Sequence, residues 1–245
     1  GGVGGGPEQH TRLRVVYLVI FVTFVMNFVV TAMAELFPLL AAAEKPSGLG
    51  LAPRDIASAL TPLGVSLLIM PFIYPTLDQR LGAVGVFRIG CVIFLVVNAS
   101  MPFLTSLRSD LLLWAGLVLI ALVRGVGGMT TFASLSIMLN ATITERIGYY
   151  NGLSSSAQAL GRALSPVTCG ALFAVSRHMH AQFNVLPFAV IAALSLSSFC
   201  VSFVVRIPRR KRPGGALKPA ATPAAAAPPS TASCKSVSSS RYGSK

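Results

Sequence analysis

Charged side chains are scarce in this 245-residue chain, where Asp, Glu, Lys and Arg together make up 11% of the residues. Soluble globular proteins carry about 25% of these residues, because charges coat the surface that faces water. At the same time 53% of the residues are hydrophobic, and the mean hydropathy is +0.72. The shortage of charge excludes a soluble globular domain and predicts an integral membrane protein.

Histidines and cysteines are also few, at three and four. The histidines lie at 10, 178 and 180, outside the apolar segments, and the cysteines are scattered at 91, 169, 200 and 234. This pattern contains neither the spacing of a zinc site nor a disulfide framework. The apolar segments also hold no His-Glu-x-x-His motif, no paired Asp and no Ser–His arrangement. The sequence therefore predicts no enzyme, no catalytic residue, no metal and no cofactor.

Six apolar segments are each long enough to cross a bilayer, which takes about 20 helical residues. Their approximate bounds are 15–40, 56–76, 84–103, 111–139, 149–175 and 186–205. The segments are continuous and do not alternate with a period of two, which favours helices over barrel strands. The predicted fold is an all-α polytopic membrane protein with a six-helix transmembrane unit at 13–206.

The basic residues predict the orientation, because Lys and Arg accumulate in cytoplasmic loops. One side of the predicted bundle carries positions 12, 14, 80, 88, 146, 206 and 209–212, and the other carries only 45, 54, 108 and 177. Both termini are then cytoplasmic, and the net charge of +13 reflects orientation and not nucleic-acid binding. The sequence does not distinguish the plasma membrane from the vacuolar membrane.

The two ends of the chain have the composition of segments without a packed core. Residues 1–12, which begin GGVGGGP, predict a flexible cytoplasmic linker with further protein upstream. Residues 207–245 are rich in Pro, Ala and Ser and predict a disordered basic cytoplasmic tail. The polybasic start of the tail is either an orientation anchor or a site for anionic lipid headgroups.

Polar residues are concentrated in the first, fourth and fifth predicted spans. Asn27, Arg124 and Arg162 fall near mid-depth, where an arginine costs about 2.5–3.5 kcal/mol on insertion scales, so neither arginine should face lipid. The candidate substrate or pore-lining residues are Asn27, Glu35, Arg124, Gln158 and Arg162. Structural alternatives remain: Asn27 as a link between helices, the arginines as clamps on exposed carbonyls, and Glu35 as a solvated helix end.

No acidic residue of this chain lies at the depth of the two arginines. Two buried cations without a counter-charge are an incomplete arrangement, because the cost of burying each charge is uncompensated. The negative partner must come from an anionic substrate, from exposed carbonyls, or from protein outside this chain.

The stretches AELFPLLAA, RGVGGMTTFASLSIMLN and NGLSSSAQALGRALSPVTCGALF carry a family likeness. Together with the rest of residues 13–206, they resemble the C-terminal six-helix half of a major facilitator superfamily transporter. The drug:proton-antiporter-like and zinc-induced-facilitator-like branches are the most similar. This resemblance implies a half-bundle that alternates access with a missing N-terminal half or a second copy.

Two superfamily motifs match at their expected positions, and a third departs. The Arg-x-x-x-Gly motif falls on Arg124 and Gly128, and the hinge or packing motif of the next helix falls on Gly161, Pro166 and Gly170. The inner-loop motif matches at Arg80 and Gly82, but Gln79 stands where the family has Asp and Pro75 where it has Gly.

These features predict a secondary active transporter that moves a small organic solute. They leave open whether transport is coupled to protons. The lipid bilayer, the missing half or second copy and the solute are the expected partners, and nucleic acid is not. A membrane adaptor without transport activity, or a degenerate scaffold, remains the alternative.

Overall fold

The computed structural model describes residues 7–45, 48–107, 109–143, 146–178 and 185–205, with the side chains of 7–12, 177 and 178 left out. Within these ranges all regular structure is helical. The predicted tail at 207–245 lies outside the described residues. Residues 7–12 of the predicted linker form the first turns of a helix.

The long helices are α1 (Pro7–Ala42), α2 (Pro53–Ser100), α3 (Asp110–Thr142), α4 (Ile147–His178) and α5 (Val185–Val204). A short 3-10 helix, Met101–Ser106, continues α2. Each of these five helical stretches is long and apolar enough to cross a membrane. Proline at the first position of α2 suits a helix start, since proline has no N–H to donate there.

Helix α2 contains a break at Gly82. A straight helix of 48 residues would extend about 72 Å, more than twice the roughly 30 Å of a hydrocarbon core. Gly82 has φ 75° and ψ 159°, a conformation that glycine adopts readily and other residues avoid. The predicted second and third spans therefore lie in one element, as a first arm (residues 53–81) and a second arm (residues 83–100).

The two arms of α2 pass α3 in opposite directions. In the first arm, Ser66 Oγ donates to the Leu122 carbonyl oxygen at 2.9 Å and Tyr74 Oη lies 3.2 Å from Ser134 Oγ, so residue numbers rise together. In the second arm and the 3-10 helix, contacts pair 90 with 131, 93 with 127, and 104 with 116, so numbers fall as the other helix rises. The break at Gly82 thus reverses the chain.

Helices α1 and α4 lie side by side and run parallel. The rings of Tyr17 and Tyr150 are 6.3 Å apart, and Ser165 Oγ donates to the Phe28 carbonyl oxygen at 3.3 Å. Helix α5 runs antiparallel to the second arm, because Arg88 contacts Ser202 near the end of α5.

Helix α1 is central and α4 is peripheral. The apolar window of α1 is 56% buried, whereas that of α4 is 22% buried. The buried positions of α4 with described side chains form a row of mostly small residues along the helix: Ser154, Gly161, Ser165, Cys169, Phe173 and Ser176. The other α4 positions with described side chains are exposed or partly exposed, and they include Ser155, Gln158 and Arg162.

Candidate substrate pathway

Asn27 is the fixed point of a polar network between α1 and α4. Its side chain is fully buried, and its Nδ2 donates to the Thr23 carbonyl oxygen at 2.8 Å. Since that bond sets which end of the amide is the acceptor, Oδ1 points toward α4. There it accepts a hydrogen bond from Arg162 Nε at 3.1 Å.

Arg162 is held by two neutral amides. Besides the bond to Asn27, its Nη2 donates to Gln158 Oε1 at 3.3 Å, one helical turn earlier on α4. Neither acceptor carries a negative charge, so the guanidinium is oriented but not neutralised. The sequence predicted that Arg162 would not face lipid. In the structure its side chain is exposed on this chain and hydrogen-bonded to Asn27.

Gly161 allows α4 to approach α1 closely enough for these bonds. A Cβ atom at Gly161 would lie 2.7 Å from the Phe24 carbonyl oxygen and 3.2 Å from the Phe28 nitrogen. Both neighbours are backbone atoms, which cannot move aside without shifting the helix. The absence of a side chain at Gly161 therefore determines where Arg162 sits.

A polar cavity of about 220 Å³ lies next to this network, toward the start of α4, and is bounded by α1, α3 and α4. Phe132, Leu135 and Leu139 supply its apolar wall. Its polar lining consists of Thr23, Ser136, Asn140, Asn151, Ser154, Ser155 and Gln158. Gln158 both lines the cavity and accepts from Arg162, so the network and the cavity form one site.

Arg124 is not part of that site. It lies on α3 with 8% of its surface exposed, and no hydrogen bond joins it to another described residue. Its neighbour Gly125 packs against the first arm of α2, where an added Cβ would meet the Ser66 Cβ at 2.5 Å. The two arginines that the sequence treated alike thus differ in burial and in hydrogen bonding.

The remaining predicted residues differ in their surroundings. Glu35 is exposed near the end of α1 and lines neither the cavity nor the network. An added Cβ would meet nothing within 4 Å at Gly128 or Gly170, in contrast to Gly161. Pro166 lies inside α4, Arg80 is exposed near the end of the first arm, and Gly82 forms the break.

One polar contact was missed by the sequence interpretation, which used Arg88 only as an orientation charge. Arg88 Nε and Nη2 donate to Oγ and to the carbonyl oxygen of Ser202, both at 3.1 Å. Its guanidinium also lies 4.1 Å from the centroid of the Phe203 ring. The Ser202 carbonyl lies in the last turn of α5, where carbonyl groups lack helical partners and a cation is favourable. Nothing in the sequence around Arg88 indicates that α5 is its partner.

A second, apolar cavity of about 310 Å³ lies between the 3-10 helix and the start of α5. Phe103 and Phe188 form much of its wall. This cavity shares no lining residue with the polar cavity, and no predicted site residue lines it.

A protein-family model described as PUCC protein matches residues 59–212, more than half of the chain. The chain belongs to the PUCC family. The matched region contains both arginines, Gly161 and most of the cavity lining, whereas Thr23, Asn27 and the α1 backbone that Gly161 contacts precede it.

Curated relatives of this PUCC-family chain are plant proteins named as transporters or facilitators. A probable peptide/nitrate transporter of Arabidopsis thaliana is 25% identical over 216 residues, covering 83% of this chain and 44% of the relative. The Arabidopsis thaliana proteins Zinc induced facilitator-like 1 and Zinc induced facilitator 1 are 30% and 29% identical. Their matches cover 59% and 62% of this chain, and 31% and 32% of the relatives.

The PUCC-family chain thus spans less than half the length of these relatives. The relatives and the five apolar helices identify a multi-pass integral membrane protein related to transporters of the major facilitator type. This confirms the sequence prediction at that level.

Proposed function

We propose that this chain is the C-terminal six-helix half of a secondary active transporter that moves a small organic solute by alternating access. Counting the arms of α2 separately, the described residues contain six helical stretches. α1 runs parallel to α4, the first arm runs parallel to α3, and the second arm runs antiparallel to α3 and to α5. These pairings are the ones expected of six passes that alternate in direction, which supports a half-bundle with both termini on one side.

The observation that carries the proposal is the polar cavity beside the Asn27–Arg162 pair. Uncompensated polar surface at mid-span is costly in hydrocarbon and is found where it faces water, substrate or protein. Arg162 lies at the middle of the 32-residue α4, and the cavity extends from its level toward the start of that helix. A solute path along α1, α3 and α4 accounts for this placement, with Arg124 as a second cationic candidate on α3.

The direction in which the cavity lies supports an orientation. It is lined by Asn140 near the end of α3 and Asn151 near the start of α4, close to the basic Arg146. Because basic loops are cytoplasmic by the positive-inside rule, we place the cavity on the cytoplasmic side. The seven acidic residues all lie outside mid-span, so proton coupling through a mid-span carboxylate would require protein beyond this chain.

Solute uptake tests the proposal. The complete coding region that contains this chain is expressed and reconstituted in liposomes, and uptake of a panel of labelled small organic solutes is measured. Asn27→Ala and Gln158→Ala are expected to reduce kcat/KM for the transported solute by about tenfold or more, since each loses a charge-assisted hydrogen bond. Thr61→Ala and Ser197→Ala are matched controls, because these exposed hydroxyls bond only their own helices.

Equal transport by the Asn27 and Gln158 variants and by the wild type would contradict the assigned path. Absence of uptake for every solute, with the protein folded in the membrane, would favour the adaptor alternative.

A further inference from the structure

One edge of the Arg162 guanidinium has no hydrogen-bond partner among the described residues. An arginine has five N–H donors, and the described residues use one on Nε and one on Nη2. Nη1 makes no hydrogen bond to a described residue, and Nη2 retains a second N–H. Nη1 and Nη2 together are a pair of parallel donors with the spacing of the two oxygens of a carboxylate.

The two protein bonds fix how this edge is presented. Asn27 is buried and tied to the Thr23 carbonyl, so the acceptor for Nε cannot rotate away. Gln158 accepts from Nη2 at 3.3 Å and continues into the polar cavity wall. A guanidinium oriented in this way loses less side-chain entropy on binding an anion than a solvated arginine would.

The charge balance points to an anion. Both acceptors are neutral, and no Asp or Glu lies at mid-span in this chain, so the site carries a full positive charge. We propose that Arg162, positioned by Asn27 and Gln158, binds a carboxylate next to the Gln158 end of the polar cavity. This inference rests on the proposed function and adds to it the chemical class of the ligand.

Arg124 does not share this role. Its side chain is buried, and among the described residues it lacks the pair of orienting amides that Arg162 has. The carboxylate can belong to a solute in the cavity or to an acidic side chain of protein outside this chain. Both sources present the same chemistry to the exposed edge of Arg162.

Benzoate and its neutral counterpart benzamide are suitable probes for the complete protein in lipid nanodiscs. Thermal unfolding is measured with increasing concentrations of each, since a ligand that binds the native state raises the unfolding midpoint. If the carboxylate comes from a solute, benzoate raises the midpoint and benzamide does not. Arg162→Gln then weakens the benzoate response by about tenfold or more, while Arg54→Gln, at an exposed arginine, leaves it unchanged.

Gln158→Glu provides a second variant that keeps the arginine and the shape of the site. The new carboxylate would take the place of the amide oxygen that already accepts from Nη2, and so neutralise Arg162 internally. Benzoate binding is expected to fall by about tenfold, with the protein still folded.

A carboxylate supplied by a protein side chain gives a different pattern. Benzoate then has no effect on the wild type, and Arg162→Gln lowers the unfolding midpoint without any added anion, while Arg162→Lys restores part of the loss. The proposal is overturned if benzoate acts no differently from benzamide and Arg162→Gln unfolds like the wild type. It is also overturned if the benzoate response survives Arg162→Gln.

Binding and transport fail separately. Benzoate binding that depends on Arg162, without uptake of any solute, would leave this inference standing and remove the proposed transport. Uptake that depends on Asn27 and Gln158 but not on Arg162 would support the proposed transport and remove the carboxylate site.

Discussion

Gly161 of α4 faces the backbone of Phe24 in α1, and a Cβ atom added to the glycine would lie 2.7 Å from the Phe24 carbonyl oxygen. This contact lies one residue before Arg162 and sets the distance between the two helices. The Asn27–Arg162 hydrogen bond of 3.1 Å therefore depends on the absence of a side chain next to it.

Gly161→Ala is expected to destabilise the folded protein by about 1–3 kcal/mol, because overpacking against backbone forces the helices apart. The matched control is Gly170→Ala on the same helix, where an added Cβ meets nothing within 4 Å. Thermal unfolding in detergent compares the two variants. A Gly161→Ala protein as stable as the Gly170→Ala protein would show that the close contact is not required.

The contact between α3 and the first arm of α2 can be tested by paired substitutions. Gly125→Ala places a methyl group 2.5 Å from the Ser66 Cβ and 3.1 Å from the Leu63 carbonyl oxygen. We expect a loss of about 1–3 kcal/mol from this crowding. Adding Ser66→Gly removes one of the two clashes and should recover part of the loss, measured as a positive coupling in a double-mutant cycle. Simple additivity of the two losses would contradict the contact.

The bond between Arg88 and the end of α5 should contribute measurably to stability. Arg88→Lys keeps the charge but loses the planar group that donates to Ser202 and stacks on Phe203. The expected cost is about 1.5–3 kcal/mol, as for hydrogen bonds to charged groups. Phe203→Leu, alone and combined with Arg88→Lys, isolates the ring contact, for which a coupling of about 0.5–1 kcal/mol is expected. Zero coupling would exclude an energetic role for the stacking.

Cysteine labelling tests whether the polar cavity holds water. Ser155→Cys in the cavity wall is expected to react with a membrane-impermeant maleimide added from the cytoplasmic side, as thiolates react where water reaches them. Val167→Cys, exposed on the apolar part of α4, is the control and should stay unlabelled in the bilayer. Cys91 and Cys169 are buried and Cys200 is exposed, whereas Cys234 lies in the tail outside the described residues. Cys200 and Cys234 are therefore replaced by Ser in the starting protein to remove background labelling. Labelling of Ser155→Cys only from the opposite side would reverse the proposed orientation.

The sequence predicted the class of fold through composition and the length of its apolar segments, both of which depend on the bilayer alone. It located the break between the second and third spans from charged residues near Asp78 and Arg80, and the structure shows the reversal at Gly82. The helices extend beyond the predicted span limits, as at Pro7 and His178. Helical hydrogen bonding continues outside hydrocarbon, so hydropathy marks the spans and not the helix ends.

The site was less predictable, because it depends on which helices are neighbours. Asn27 and Arg162 are 135 positions apart, and nothing local to either residue specifies the other. Their polarity at mid-span selected them as candidates, and the same argument selected Arg124, which neither bonds to them nor lines the cavity. The small residues Gly161 and Ser165 indicated close packing, but which backbone they approach required the structure.

The narrow row of buried small residues on α4 has a mechanical consequence. A helix fastened along one row can slide lengthwise or roll about that row while exposing little additional surface, whereas the central α1 cannot move without opening the interior on several sides. Pulling experiments on the folded protein should therefore release α4 at lower force than α1. Arg162 would then leave its position together with α4.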